Sequence, residues 1–144
     1  MADRTARVTW SGSLMDGSGL IESTGSGAIE GLEVTWAARA EPEQSERTSP
    51  EELLAAAHAA CFCMALSHAL AQDGNVPEKL DVTATSAFVP GTGITQMKLD
   101  VTGTVPGMDE AAFKIAAEAA RDGCPVSGAL KGNVEILLDA RLLR

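Results

Sequence analysis

The chain has 144 residues, 45% of them hydrophobic and 22% charged, with a formal net charge of -9 and a pI near 4.6. This is enough apolar mass for a single domain, residues 1–144, with a core of its own. The acidic balance excludes a surface built to neutralise phosphates, so no nucleic-acid partner is expected.

The chain opens Met1-Ala2-Asp3-Arg4-Thr5 and runs straight into polar, strand-like sequence, which points to a cytoplasmic protein rather than one led by a cationic, apolar signal. Arg7-Val8-Thr9-Trp10 reads as a first strand. The Gly- and Ser-rich stretch Ser11 to Gly27 suits hairpin turns. Leu32 to Arg39 alternates again, with Val34 and Trp36 on one face, so Arg39 is expected to end a strand and both tryptophans to pack on a sheet. Ala40 to Thr48, with Pro42 inside it, reads as a loop.

A helix then starts on a strong signal. Ser49 can cap it, Pro50 suits its first position and Glu52 can reach back to complete a capping box. It extends to about Gln72-Asp73, with Gly74 and Pro77 as stops. The apolar stretch Leu53 to Ala71 is rich in alanine and carries His58 and His68, which suits a close-packed interior helix and no membrane span. Its small side chains also let another helix approach closely.

Leu80 to Val89 and Met97 to Val105 alternate around the turn Pro90-Gly91-Thr92-Gly93, giving an antiparallel hairpin with Met97, Leu99, Val101 and Val105 on one face. Asp109 caps a helix through Arg121, with Ala112, Phe113, Ala116, Ala117 and Ala120 inward and Gly123 at its C-terminal cap. Pro125 to Lys131 makes one or two helical turns, and Asn133 to Leu143 forms a last strand. Strands early, helices between later strands and no βαβ repeat predict an α+β fold with a mostly antiparallel sheet and a long central helix.

Three cysteines are too few for the disulfide framework of a secreted mini-protein, leaving inert packing or redox chemistry. Cys61 sits in mid-helix, where the helix dipole gives a thiolate little help, so a reactive Cys61 needs a cation from elsewhere. Arg39, at the end of the preceding strand-like segment, is the candidate, and Arg47 in the loop that follows is its rival. Glu51 is the natural carboxylate to hold such an arginine, although its place in the first helical turn is favourable for the dipole alone. Ten helical positions separate Glu51 from Cys61, roughly 15 Å. They cannot share a site within one chain. Two copies of the helix packed antiparallel in a two-fold dimer would bring Glu51 of one copy near Cys61 of the other. Cys124, followed by Pro125, takes a plausible N-cap where backbone N–H groups can stabilise a thiolate. Cys63 lies about 200° around the helix from Cys61 and reads as packing. His58, one turn before Cys61, could serve as its general base or as a metal ligand, but reads best as a satisfied core histidine.

The run Ser49-Pro50-Glu51-Glu52-Leu53-Leu54-Ala55-Ala56-Ala57-His58-Ala59-Ala60-Cys61-Phe62-Cys63-Met64-Ala65-Leu66-Ser67, with Cys124-Pro125-Val126-Ser127 and the closing strand, resembles the OsmC/Ohr family of thiol-dependent peroxidases, and most closely its OsmC branch. The resemblance spans the chain from Thr35 onward. It implies an intertwined homodimer in which Cys61 is the peroxidatic thiol, Cys124 resolves it, and Arg39 with Glu51 from the partner subunit activates the site. It also implies a hydroperoxide substrate, an organic one given the apolar Phe62 and Met64, with an external dithiol of lipoyl type as reductant. No cofactor or metal is expected. The alternatives are a non-enzymatic dimeric binding module for an apolar small molecule, a Cys–His hydrolase, or a small zinc site on Cys61 and His58.

Overall fold

In a computed structural model the described residues are 1–41 and 46–143, and they form two compact units, Met1–Leu53 and Leu54–Arg144. Residues 42–45 of the predicted Ala40–Thr48 loop lie outside the described residues.

The N-terminal unit is an antiparallel sheet in the order β1 (Ala6–Ser11), β2 (Ser18–Thr24), β3 (Leu32–Val34). Strand β2 lies inside the stretch read as turns. Its glycine serves close packing: a Cβ on Gly19 would stand 2.8 Å from both the Trp10 ring and the Val34 side chain. The predicted strand ending at Arg39 is corrected. After Val34 the chain turns into a short helix, α1 (Trp36–Ala40), because the Thr35 hydroxyl accepts from the Ala38 amide at 3.1 Å and the residues that follow are mostly alanine. Trp36 and Arg39 are therefore helical, and only Trp10 belongs to a sheet.

Helix α2 (Pro50–Gln72) begins as its sequence dictates, with the Ser49 hydroxyl accepting from the Glu52 amide at 3.1 Å. The Glu52 carboxylate accepts from the Thr48 hydroxyl at 3.0 Å, so only half of the capping box forms as expected. At the other end Gly74 has φ +79°, and the amides of Gly74 and Asn75 return to the carbonyls of Ala71 and Leu70, a Schellman-type stop.

The C-terminal unit carries the core. Strands β4 (Lys79–Val89) and β5 (Gly93–Thr104) form the expected hairpin, and β6 (Glu135–Leu142) pairs with β5 in parallel. The path from β5 through α3 (Glu110–Gly123) and α4 (Pro125–Leu130) to β6 is therefore a single βαβ crossover, and the other pairings among the described strands are antiparallel, in keeping with the mostly antiparallel fold expected. Met97, Leu99 and Val101 are fully or almost fully buried. Leu99 and Val101 join Phe113, Ala117 and Ala120 of α3 and Phe62, Leu66 and Leu70 of α2 in one cluster. Burying each of the large side chains contributes roughly 2 kcal/mol. Asp109 caps α3 through the Ala112 amide at 2.8 Å. Gly123 stays inside α3 without a left-handed φ, and Cys124 closes that helix and opens the next.

Among the described residues α2 is long and apolar enough to cross a membrane by length and composition. One face of it is core. The opposite face, with Ala56, Ala57, Ala60, Met64 and Ala71, is exposed in the single chain.

Candidate active site

Two separate groupings gather the predicted residues. In the C-terminal unit, Cys61 on α2 and Cys124 at the α3–α4 junction are free thiols at the same core cluster, near enough for each to shift the other's ionisation. Cys61 is partly exposed and Cys124 is 1% exposed. Pro125 occupies the first position of α4, and Cys124 sits at its N-cap without a side-chain capping hydrogen bond.

The two thiols are tuned in opposite directions. Burial pushes Cys61 above the ordinary thiol value, the Val126 amide pulls it only part of the way back, and the neighbouring Cys124 raises it again. Burial also pushes Cys124 up, but the Ser127 amide, the Cys61 thiol, the Ser127 hydroxyl and the Val126 amide outweigh it and leave Cys124 below the ordinary value. Within one chain, the sulfur expected to react first is the weaker thiolate.

Next to this pair lies a contact the sequence reading did not assign. His58, fully buried, places Nε2 2.8 Å from the hydroxyl of Ser127, and its Nδ1 has no hydrogen-bond partner. Burial lowers the pKa of His58, so the ring is neutral at pH 7. Ser127 was visible only as the fourth residue of the Cys124 motif.

In the N-terminal unit Arg39, in the last turn of α1, meets Glu51, in the first turn of α2. Nε donates to Oε1 at 2.9 Å and Nη2 lies 2.8 Å from the same oxygen. Both guanidinium nitrogens thus share one carboxylate oxygen, and Oε2 is buried without a partner. The pair forms within one chain. The rival Arg47 lies 2.7 Å from Glu33 in an exposed ion pair.

Phe62 is fully buried in the core, which removes it from any substrate-lining role, while Met64 is exposed. Cys63 is half-buried, with its thiol raised by burial and by Asp81. No group of three metal-ligating side chains lies together among the described residues.

A family model for OsmC-like proteins matches residues 42–139. The chain belongs to the OsmC-like family. It is 40% identical over 142 residues to peroxiredoxin OsmC of Escherichia coli K12, covering 96% of each chain. It is also 34% identical over 94 residues to the organic hydroperoxide resistance protein of Xanthomonas axonopodis pv. citri, covering 63% of this chain and 65% of that relative. Among solved structures, the organic hydroperoxide resistance protein OhrB of Bacillus subtilis superposes with a TM-score of 0.65 at 25% identity, covering 94% of this chain and 97% of that one. The α+β architecture with its long helix is that of the OsmC/Ohr proteins.

Proposed function

We propose that this protein is a cysteine-based peroxidase that reduces organic hydroperoxides, and hydrogen peroxide more weakly. The observation that carries this reading is the neighbouring pair of free thiols, Cys61 and Cys124, brought to one core cluster from distant parts of the chain. The names of its relatives, a peroxiredoxin and organic hydroperoxide resistance proteins, point to the same chemistry.

The Cys61 thiolate attacks the O–O bond, releasing an alcohol and leaving a sulfenic acid. Cys124 then attacks that sulfur, the S–O bond breaks, and hydroxide leaves with the thiol proton as water. The disulfide is reduced by an external dithiol, for which a lipoyl-type carrier is the choice, in the cytoplasm. Arg39 lowers the Cys61 pKa and holds the peroxide oxygens, and Glu51 orients Arg39. Because helical rise separates Glu51 from the Cys61 of its own chain by roughly 15 Å, the Arg39–Glu51 pair serves the Cys61 of a second copy in a homodimer. The exposed alanine face of α2 supports such a contact, since small side chains permit close helix packing.

A Cys–His hydrolase is not favoured, because His58 directs Nε2 to Ser127 and its Nδ1 bonds to nothing. One equivalent of cumene hydroperoxide is expected to consume two free thiols per chain and to yield a Cys61–Cys124 crosslink on peptide mapping. Thiols that stay free, as in a binding module, would overturn the reading.

A further inference from the structure

The mechanism above uses neither His58 nor Ser127, yet both are buried polar groups, and Ser127 lies in the first turn of the helix that Cys124 caps. His58 is 0% exposed and Ser127 4%, and their side chains meet at 2.8 Å although 69 positions separate them in sequence. Ser127 stands in the first turn of α4, three residues after Cys124, which caps that helix, and its hydroxyl is among the groups that hold the Cys124 thiol below its ordinary value.

The direction of the His58–Ser127 bond follows from the unpartnered nitrogen. Were the imidazole proton on Nδ1, a buried N–H would have no acceptor, the costlier way to leave a polar group unpaired. With the proton on Nε2, only a lone pair is stranded at Nδ1. A neutral ring protonated on Nε2 donates to Ser127 Oγ. The serine oxygen is then an acceptor from His58, and its own hydrogen is left to point at sulfur.

We propose that His58 and Ser127 are positioning residues for the resolving step: the Nε2–H of His58 holds the Ser127 hydroxyl so that its hydrogen is donated to Cys124 Sγ, stabilising the thiolate that attacks the Cys61 sulfenic acid. The electron balance is that of the disulfide step. The S–S bond forms as the S–O bond breaks, the proton from Cys124 leaves with the hydroxide as water, and Ser127 and His58 keep their own protons. Hydrogen bonds to ionised groups are about twice as strong as neutral ones, so the serine contributes most when Cys124 is charged. The inference rests on the peroxidase reading and extends it to residues given no part in it.

The test is a single turnover with one equivalent of cumene hydroperoxide, quenched with dimedone and read by mass spectrometry. Ser127→Ala is expected to slow disulfide formation relative to sulfenic acid formation by about tenfold, equivalent to ~1.4 kcal/mol, so that trapped Cys61 sulfenic acid and sulfinic acid accumulate. His58→Leu should do the same. His58→Gln, with an amide N–H near the position of Nε2, should recover most of the rate, and in a Ser127→Ala background neither His58 substitution should slow it further. Resolution at the wild-type rate in Ser127→Ala, or His58→Gln no better than His58→Leu, would overturn the proposal. Should His58→Leu not fold, Ser127→Ala and NMR of nitrogen-labelled histidine decide: a protonated Nε2 with a bare Nδ1 is expected, and the opposite tautomer refutes the arrangement. A wild-type protein that consumes no hydroperoxide would instead defeat the peroxidase reading, with the tautomer still deciding the hydrogen-bond direction.

Discussion

Replacing Arg39 by methionine should damage both stability and chemistry, by amounts that can be worked from its contact with Glu51. The Glu51 side chain is 8% exposed and that of Arg39 31%, and Oε2 of Glu51 has no partner even in the intact protein. Arg39→Met strips Oε1 of both nitrogens and leaves a buried carboxylate. Breaking a fully buried pair costs about 3–5 kcal/mol, and partial exposure of the arginine brings this to about 2–3 kcal/mol; an ordinary surface pair would cost less than about 1 kcal/mol. Urea unfolding should show a midpoint lower by about 1 M for an m-value of roughly 2 kcal/mol/M. The double variant Arg39→Met/Glu51→Gln should regain most of the loss, because no buried charge is then left alone. Activity should separate from stability. Without the guanidinium, Cys61 keeps its raised pKa, and since a nearby cation lowers a thiol by about 1–3 pH units, turnover at pH 7 should fall about 10- to 1,000-fold in single and double variants alike. The deficit should shrink about tenfold for each pH unit gained, because the missing species is the deprotonated sulfur. A stability loss under about 1 kcal/mol, or a double variant as active as wild type, would refute this account.

Three further expectations follow from the same contacts. Mixing Arg39→Met chains, impaired alone, with Cys61→Ser chains, inactive alone, should restore about a quarter of wild-type turnover after random reassortment, because one site of each mixed dimer is then complete; no recovery on subunit exchange would reject a site shared between copies. Gly103→Val should destabilise the protein by about 2 kcal/mol or more through overpacking, since even a Cβ there would stand 2.5 Å from Cζ of Phe113; a thermal melt unchanged from wild type would contradict this. Burial holds the His58 pKa below its ordinary value of 6.5, so its contribution is present above that pH and is lost as pH falls, when the unfolded chain takes up a proton the folded chain resists; His58→Gln should flatten the decline in stability between pH 6.5 and more acid values, as read by denaturant titration.

Where local chemistry decides conformation, the sequence was readable. Ser49 and Pro50 announce the start of α2, Asp109 announces α3, and the alternation from Met97 to Val105 is the buried face of β5. Arg39 was misplaced because one hydroxyl, that of Thr35, captures the Ala38 amide and outweighs a strand-like alternation of only a few residues. Strand β2 was hidden because Gly19, read as a turn residue, is there to let the Trp10 ring and Val34 approach. The parallel pairing of β6 could not be read from its alternation, which parallel and antiparallel strands share. The two cysteines and the arginine with its carboxylate were legible as residue types suited to thiol chemistry. The bond from His58 to Ser127 was not, because it links side chains whose proximity only the packed fold creates.

The opposed tuning of the two thiols has a mechanistic consequence on this reading. In a chain standing alone, burial holds the Cys61 thiol above its ordinary value, while the groups around Cys124 hold that thiol below it. That order suits the second half of the reaction, in which Cys124 must be the nucleophile, and opposes the first, in which Cys61 must be. A guanidinium brought beside Cys61 reverses it for the attack on peroxide. Once Cys61 is a sulfenic acid it no longer competes as a thiolate, and the amides and hydroxyl around Cys124 act unopposed. The sequence of nucleophiles is then set by which sulfur the cation faces, so the first step would depend on dimer formation while the second needs only groups of one chain.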